Sequence, residues 1–167
     1  VDIPYTVCDS GTVQACSSAS LHVLVRLASI DAVADDFSGN TINGFTGGTA
    51  GTVFTNDLVN SEALTAGLVS LTLLSNGGLT GATLNAATGN LVIPAATSAG
   101  TYTITYKICQ VAVPSVCDED QVTVVVVPPL LEALDDDYTS LPISSEDGGS
   151  AGSIFDNDKI NGNTLSA

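Results

Sequence analysis

Thr101-Tyr102-Thr103-Ile104-Thr105-Tyr106-Lys107-Ile108-Cys109 alternates without a break. Tyr102, Ile104, Tyr106 and Ile108 share one parity, and Thr101, Thr103, Thr105 and Lys107 the other. Successive side chains of a strand point to opposite faces, so this period of two predicts a strand with one face in a core. Downstream, Val122, Val124 and Val126 repeat the pattern and predict a last strand. Pro128-Pro129 ends it, because proline has no N–H to donate, and makes a stiff hinge. Upstream, Val69, Leu71 and Leu73 alternate with Ser70 and Thr72. Asn76-Gly77-Gly78 predicts a turn, and Asn85-Ala86-Ala87-Thr88-Gly89-Asn90 between Leu84 and Leu91 a hairpin loop. Val53-Phe54 is read as opening a strand that stops at Asn56-Asp57. No stretch carries a trustworthy helical period, so the expectation is an all-β antiparallel sandwich.

The deciding strand has a copy. Ile3-Pro4-Tyr5-Thr6-Val7-Cys8 precedes Ile104-Thr105-Tyr106-Lys107-Ile108-Cys109 by 101 residues, and at the same offset Cys16 falls on Cys117. Asp31-Ala32-Val33-Ala34-Asp35-Asp36-Phe37 falls on Glu132-Ala133-Leu134-Asp135-Asp136-Asp137-Tyr138. Gly47-Gly48-Thr49-Ala50-Gly51-Thr52-Val53-Phe54 falls on Gly148-Gly149-Ser150-Ala151-Gly152-Ser153-Ile154-Phe155, Asn56-Asp57 on Asn157-Asp158, and Asn60 on Asn161. Residues 31–66 and 132–167 share 14 identities in 36 positions with no gap. A fixed period of this size marks a tandem array of one unit. The expected organisation is the end of one repeat (1–30), one complete repeat of about 101 residues (31–131), and the start of a third (132–167). Only the middle repeat can close its own core, so the flanking pieces are expected to be frayed or differently packed. With no initiator Met and no leader, the chain reads as an internal or processed fragment.

The bulk numbers narrow the function. Hydrophobic residues make up 44% and charged ones 13%, which is enough apolar surface for a core. Eighteen acids against Arg26, Lys107 and Lys159 give a net charge of −15. Such a surface repels nucleic acid and anionic membranes. The longest apolar run, residues 122–131, is too short to span a bilayer. An enzyme needs a nucleophile, a base or a metal in a pocket. The single histidine, His22, is read as a strand-surface residue, and the glycine-rich Gly47-Gly48-Thr49-Ala50-Gly51 lacks the lysine of a phosphate loop. The expectation is that the chain is not an enzyme.

Cys8 and Cys16, and Cys109 and Cys117, have equal spacing in two copies, which predicts two local disulfides and an extracytoplasmic location. The acids admit two readings. Asp31, Asp57 and Asp35 or Asp36 are expected to converge at the pole facing the preceding repeat, where Asp118-Glu119-Asp120 begins the last strand. Oxygen ligands gathered there would suit Ca²⁺. The other reading is that the acids solvate the surface or cap turns. Two non-catalytic roles stand side by side: a spacer made of repeats, and a glycan-recognising module, for which Tyr5, Tyr106 and Tyr138 are the candidate aromatics although Tyr106 reads as core.

Three features carry a family resemblance. Ala34-Asp35-Asp36-Phe37 and Val53-Phe54-Thr55-Asn56-Asp57 resemble the cadherin-like tandem repeats of bacterial adhesins. Leu84-Asn85-Ala86-Ala87-Thr88-Gly89-Asn90, followed by Ala99-Gly100-Thr101-Tyr102-Thr103-Ile104-Thr105-Tyr106, resembles Ig-like repeats. The run from Tyr106 to Cys109 with Val116-Cys117-Asp118 is similar to repeats of giant Bacteroidota surface proteins, among them gliding-motility adhesins exported by type IX secretion. The resemblance implies an Ig-like or cadherin-like sandwich, exposure on a bacterial cell surface, a structural or adhesive role, and neighbouring repeats of the same chain as partners. For the cadherin-like relatives it also implies structural Ca²⁺ at the junctions. By position that would fall on Asp36, Asp57, Asp137 and Asp158, with Asp31, Asp35 and Asp136 beside them. The chain departs from the pattern after Asn56-Asp57, where Leu58-Val59-Asn60-Ser61 replaces an acid-rich stretch, and Lys159 follows Asp158.

Overall fold

The computed structural model describes residues 1–165, so the last two positions of the third segment lie outside the described residues. The first strands are β1 (Asp2–Cys8) and β2 (Cys16–His22), a hairpin. The short strands β3 (Ile30–Asp31), β4 (Asp35–Asp36) and β5 (Ile42–Asn43) follow. Next come β6 (Gly48–Thr52), β7 (Leu58–Val59) and β8 (Glu62–Ala63). After a 3₁₀ turn at Ala66–Leu68 come β9 (Val69–Ser75), β10 (Thr83–Leu84), β11 (Asn90–Ile93), β12 (Gly100–Gln110) and β13 (Cys117–Val127). The chain closes with β14 (Leu131–Glu132), β15 (Lys159–Ile160) and β16 (Asn163–Thr164).

Two sheets enclose one core. In the larger, β9, β12 and β13 run antiparallel in that order, and β4 and β5 lie parallel on the outer edge of β13. The smaller has the order β10-β11-β6. Ile104, Tyr106, Ile108, Val122, Val124 and Val126 of the larger sheet face Ala50, Leu91 and Ile93 of the smaller, with Val53 and Leu79 filling the ends. Each such side chain fully removed from water contributes about 1.5–3 kcal/mol. Among the described residues every buried one belongs to the stretch from Ala32 to Val126. Among the described residues nothing covers the β1–β2 hairpin, where Ile3, Tyr5, Val7 and Leu21 stand exposed.

The alternations of Tyr102 to Ile108 and of Val122 to Val126 are strands in the structure, as expected. Val53-Phe54 corrects its reading: the strand is Gly48–Thr52, and Val53 and Phe54 sit in the turn that follows it. Val53 is nonetheless fully buried, its N–H donating to the Gly89 carbonyl at 3.1 Å. Strand β6 has no large side chain because Phe37 lies against it. A Cβ on Gly51 would come within 2.8 Å of that ring. Gly77 is also required: at φ +59° its added Cβ would meet the Thr103 carbonyl at 2.0 Å.

Candidate functional site

The most elaborated polar region is the pole where residues 29–31 enter the sandwich. Its base is a small hairpin, β7–β8, whose turn residues Asn60 and Ser61 take φ of +54° and +67°. Two left-handed residues in succession give the mirror-image turn that matches strand twist, and asparagine tolerates that region better than most residues. β3 pairs with β7, Ile30 opposite Val59 and Asp31 opposite Leu58. The pairing continues into the linker: Asn60 N–H donates to the Ser29 carbonyl at 2.9 Å, and Ser29 N–H donates to Asn60 Oδ1 at 3.0 Å. From the end of β12, the buried Gln110 donates Nε2–H to the Ser29 carbonyl at 2.6 Å and to Asn60 Oδ1 at 3.1 Å.

The same device recurs at the next linker. Asn161 and Gly162 take φ of +50° and +79°. Leu131 pairs with Ile160 and Glu132 with Lys159. Asn161 N–H donates to the Leu130 carbonyl at 2.8 Å, and Leu130 N–H donates to Asn161 Oδ1 at 2.9 Å. Further in, Asp57 Oδ1 accepts from Val33 N–H at 2.8 Å, and Asp158 Oδ1 accepts from Leu134 N–H at 2.8 Å. Asn56 Nδ2 donates to the Ala34 carbonyl at 3.0 Å, and Asn157 Nδ2 to the Asp135 carbonyl at 2.8 Å. Asn56-Asp57 and Asn157-Asp158 thus fasten the chain that enters each repeat.

In the sandwich Asp57 is 1% exposed and Asp35 8% exposed. Both face the hydroxyl of Tyr106, which lies 3.2 and 3.4 Å from the two Asp57 oxygens, 3.3 Å from Asp35 Oδ2 and 3.3 Å from the Val33 carbonyl. One phenol hydrogen can satisfy only one of these acceptors at a time. Burial, then the Asp57 charge, push Asp35 up to about 6. Burial, then the charges of Asp120 and Asp31, push Asp57 up to about 6 against the bonds from Val33 and Tyr106 that favour its ionised form. Burial beside these acids raises the Tyr106 hydroxyl well above its ordinary value, so it is a donor at any physiological pH.

The structure therefore brings Asp35 and Asp57 together, with Asp31 and Asp120 close enough to act through their charge. Asp118 Oδ2 accepts from Ala32 N–H at 3.0 Å. Asp36, Asp136 and Asp137 do not join. Asp36 is exposed and turned to Ser38, whose hydroxyl and N–H hold it below the ordinary carboxylate range. Thr139 does the same for the exposed Asp137, while Asp136 stands exposed and Asp158 half-buried. A calcium ion needs six to eight oxygens around one point. Here two carboxylates meet, and a phenol hydroxyl fills the space between them. Among the described residues no group of three or more His, Cys, Asp or Glu side chains is placed to hold a metal ion. The donor chemistry suits Ca²⁺, but the arrangement within this repeat alone does not.

Cys109 is bonded to Cys117 and Cys8 to Cys16, each pair facing its partner at the far end of a hairpin. His22 is exposed and bonded to Asp2 at 2.6 Å, and Lys107 pairs with Glu119 at 3.0 Å across β12 and β13. Tyr106 is core, as expected, so its ring is closed to ligands. Tyr102 borders a cavity of ≈ 280 Å³ lined by Gly78, Pro94 and Ser98, with no acid among its lining residues. Among the described residues no helix is long and apolar enough to cross a membrane.

No protein-family model matches the sequence, and no curated protein matches it. Solved structures do. Protocadherin gamma B2 extracellular cadherin domains 3–6 superpose with a TM-score of 0.50 at 11% identity, over 76% of this chain and 33% of that one. Protocadherin gamma B7 extracellular cadherin domains 1–4 superpose with a TM-score of 0.46 at 13% identity, over 78% of this chain and 34% of that one. The chain spans about a third of the length of these structures. The likeness to the first shows the fold: a cadherin-like β-sandwich.

Proposed function

We propose that this chain is a structural, non-enzymatic stretch of tandem adhesion-type repeats, acting as a spacer that projects binding regions from a cell surface. The observation that carries this reading is the recurrence of one linker geometry. Ser29 with Asn60 and Leu130 with Asn161 form the same pair of backbone and side-chain bonds at two successive entries. A chain that repeats its junction geometry has a reason to control how units follow one another. Two disulfides fit an oxidising location outside the cell. The resemblance to gliding-motility adhesins of Bacteroidota supports a bacterial surface and type IX export as the finer reading.

Small-angle scattering on chains of one, two and four complete repeats tests the spacer. The expected result is a maximum dimension that grows in proportion to repeat number, with no saturable binding of a single repeat to glycan arrays. Saturable glycan binding by one repeat would replace the spacer with a recognition module. Calcium is proposed for arrays in which a complete repeat precedes Ile30, where the preceding pole would add oxygens to Asp31, Asp57 and Asp120. There, millimolar Ca²⁺ after EDTA raises the melting temperature, and Asp57→Ala abolishes the rise. An unchanged melting temperature rejects the metal and leaves the spacer standing.

A further inference from the structure

Asn43 and Asn161 are 118 residues apart and belong to successive repeats. Their side-chain amides face each other. Asn43 Nδ2 donates to Asn161 Oδ1 at 2.9 Å, and Asn161 Nδ2 donates back to Asn43 Oδ1 at 3.4 Å. Both residues are half-buried. We propose that this reciprocal amide pair is a metal-independent clamp that docks the β15–β16 turn of one repeat onto the β5 loop of the repeat before it.

Each asparagine is held by its own repeat before it reaches across. Asn43 ends β5, opposite Val127, and Gly44 N–H donates to the Val127 carbonyl at 2.8 Å. Asn43 Oδ1 also accepts from Phe45 N–H at 3.0 Å and Thr46 N–H at 3.4 Å, which fixes the loop and the side chain together. On the other side, Asn161 is fixed by its left-handed backbone and its two bonds to Leu130. Two preorganised amides lose little freedom on meeting, so a single pair can set an orientation. The linker between them contains Pro128 and Pro129, which restrict the chain but supply no hydrogen-bond donor. The clamp adds the direction that the prolines leave open.

The repeat gives the clamp a specificity. Asn161 has the counterpart Asn60, but the counterpart of Asn43 is Ser144. Ser144 Oγ accepts from Glu146 N–H and Asp147 N–H, both at 3.2 Å, so it keeps the loop-shaping task of Asn43 Oδ1. It has no amide to offer a following repeat. Junctions in one array therefore differ: a repeat with asparagine at this position is clamped to its successor, and one with serine is not.

This inference rests on the tandem-repeat reading, and its test uses the chain as it stands, in EDTA. Asn43→Ser reproduces the natural serine loop and keeps the fold. Residual dipolar couplings and ¹⁵N relaxation would be read separately for residues 31–127 and 131–165. In the wild type both segments should fit one alignment tensor. In Asn43→Ser the couplings of 131–165 should shrink and its order parameters fall toward the flexible range, below about 0.6, while 31–127 stays unchanged. Asn43→Ala serves as a second variant, with the methyl shifts of Ile104 and Val124 confirming an intact core. Equal alignment of the two segments in wild type and both variants would overturn the clamp, as would a wild-type 131–165 segment that tumbles freely in EDTA. A failed spacer reading would show instead as glycan binding, which neither substitution touches.

Discussion

Tyr106 is the one residue of β12 that answers to two demands at once. Its ring is wholly buried among Ile104, Ile108 and Val122, and its hydroxyl lies between two buried carboxyls. Asp35 and Asp57 are held at about 6 where 3.8 is ordinary, so in that interval the folded chain binds a proton that the unfolded chain releases. Above about pH 6 the fold carries the full cost of two facing carboxylates. The cost fades as pH falls from 6 toward 4, and below the ordinary carboxylate range both states are protonated and nothing more is gained. In EDTA the melting temperature should therefore rise on acidification from about pH 7.5 to about pH 5. Discounted for screening, the gain is about 1 kcal/mol, which is roughly 4–8 °C for a domain of this size. Asp57→Asn, which still accepts from Val33 N–H, should flatten the rise. A wild-type melting temperature that falls over the same interval would contradict the raised Asp35 and Asp57 carboxyls.

At the scale of elements, the β12–β13 hairpin is the spine of the sandwich, and Cys109–Cys117 closes its tip. A crosslink over so short a loop stabilises by about 2–3 kcal/mol, chiefly by restricting the unfolded chain. Replacing both cysteines by serine should lower the unfolding free energy by that amount, read as a drop in urea midpoint equal to that energy divided by the slope, since the remaining cross-strand pairs still define the hairpin. These long strands were legible because Tyr102 to Ile108 and Val122 to Val126 alternate large apolar side chains with polar or small ones. Strand β6 was not legible. Gly48-Thr49-Ala50-Gly51-Thr52 has no large side chain to alternate, and the apolar weight that drew attention lies one step later, in the turn at Val53. The acids were legible as a group at one pole, but not their order. Asp35 turns inward beside Val122 while Asp36 turns out to Ser38, a choice set by parallel pairing with β13 that no local pattern announces. The Tyr106 hydroxyl was invisible for a similar reason: it meets residues 49 and 71 positions away. Asn60 and Asn161 were visible as a repeated pair, but their work depends on backbone bonds to the linker.

For the whole molecule, stability is concentrated between Ile30 and Val127. Among the described residues the β1–β2 hairpin has no apolar partner beneath it, and Val1 to Val25 are exposed throughout. Local opening costs least where little apolar surface is buried. Amide exchange should accordingly be slowest in β12 and β13 and fast in β1 and β2, despite the disulfide that joins the latter pair. Protection of β1 equal to that of β12 would show that the hairpin is covered by something the sandwich does not provide.

The parallel seat of β4 and β5 on β13 decides how such a chain bears mechanical load. Asp35 lies beside Val122 and Asn43 beside Val127, so the entering and leaving strands run in the same direction along one seam. Tension applied through the two linkers drags those strands in opposite senses along the seam. Its bonds are then strained together in shear rather than parted one after another like a zip. Apart from the β7–β8 turn and Gln110, which hold the entering linker, the folded chain between Asn43 and Cys117 lies behind the seam. Should it slip, Cys109–Cys117 still keeps the hairpin tip from paying out.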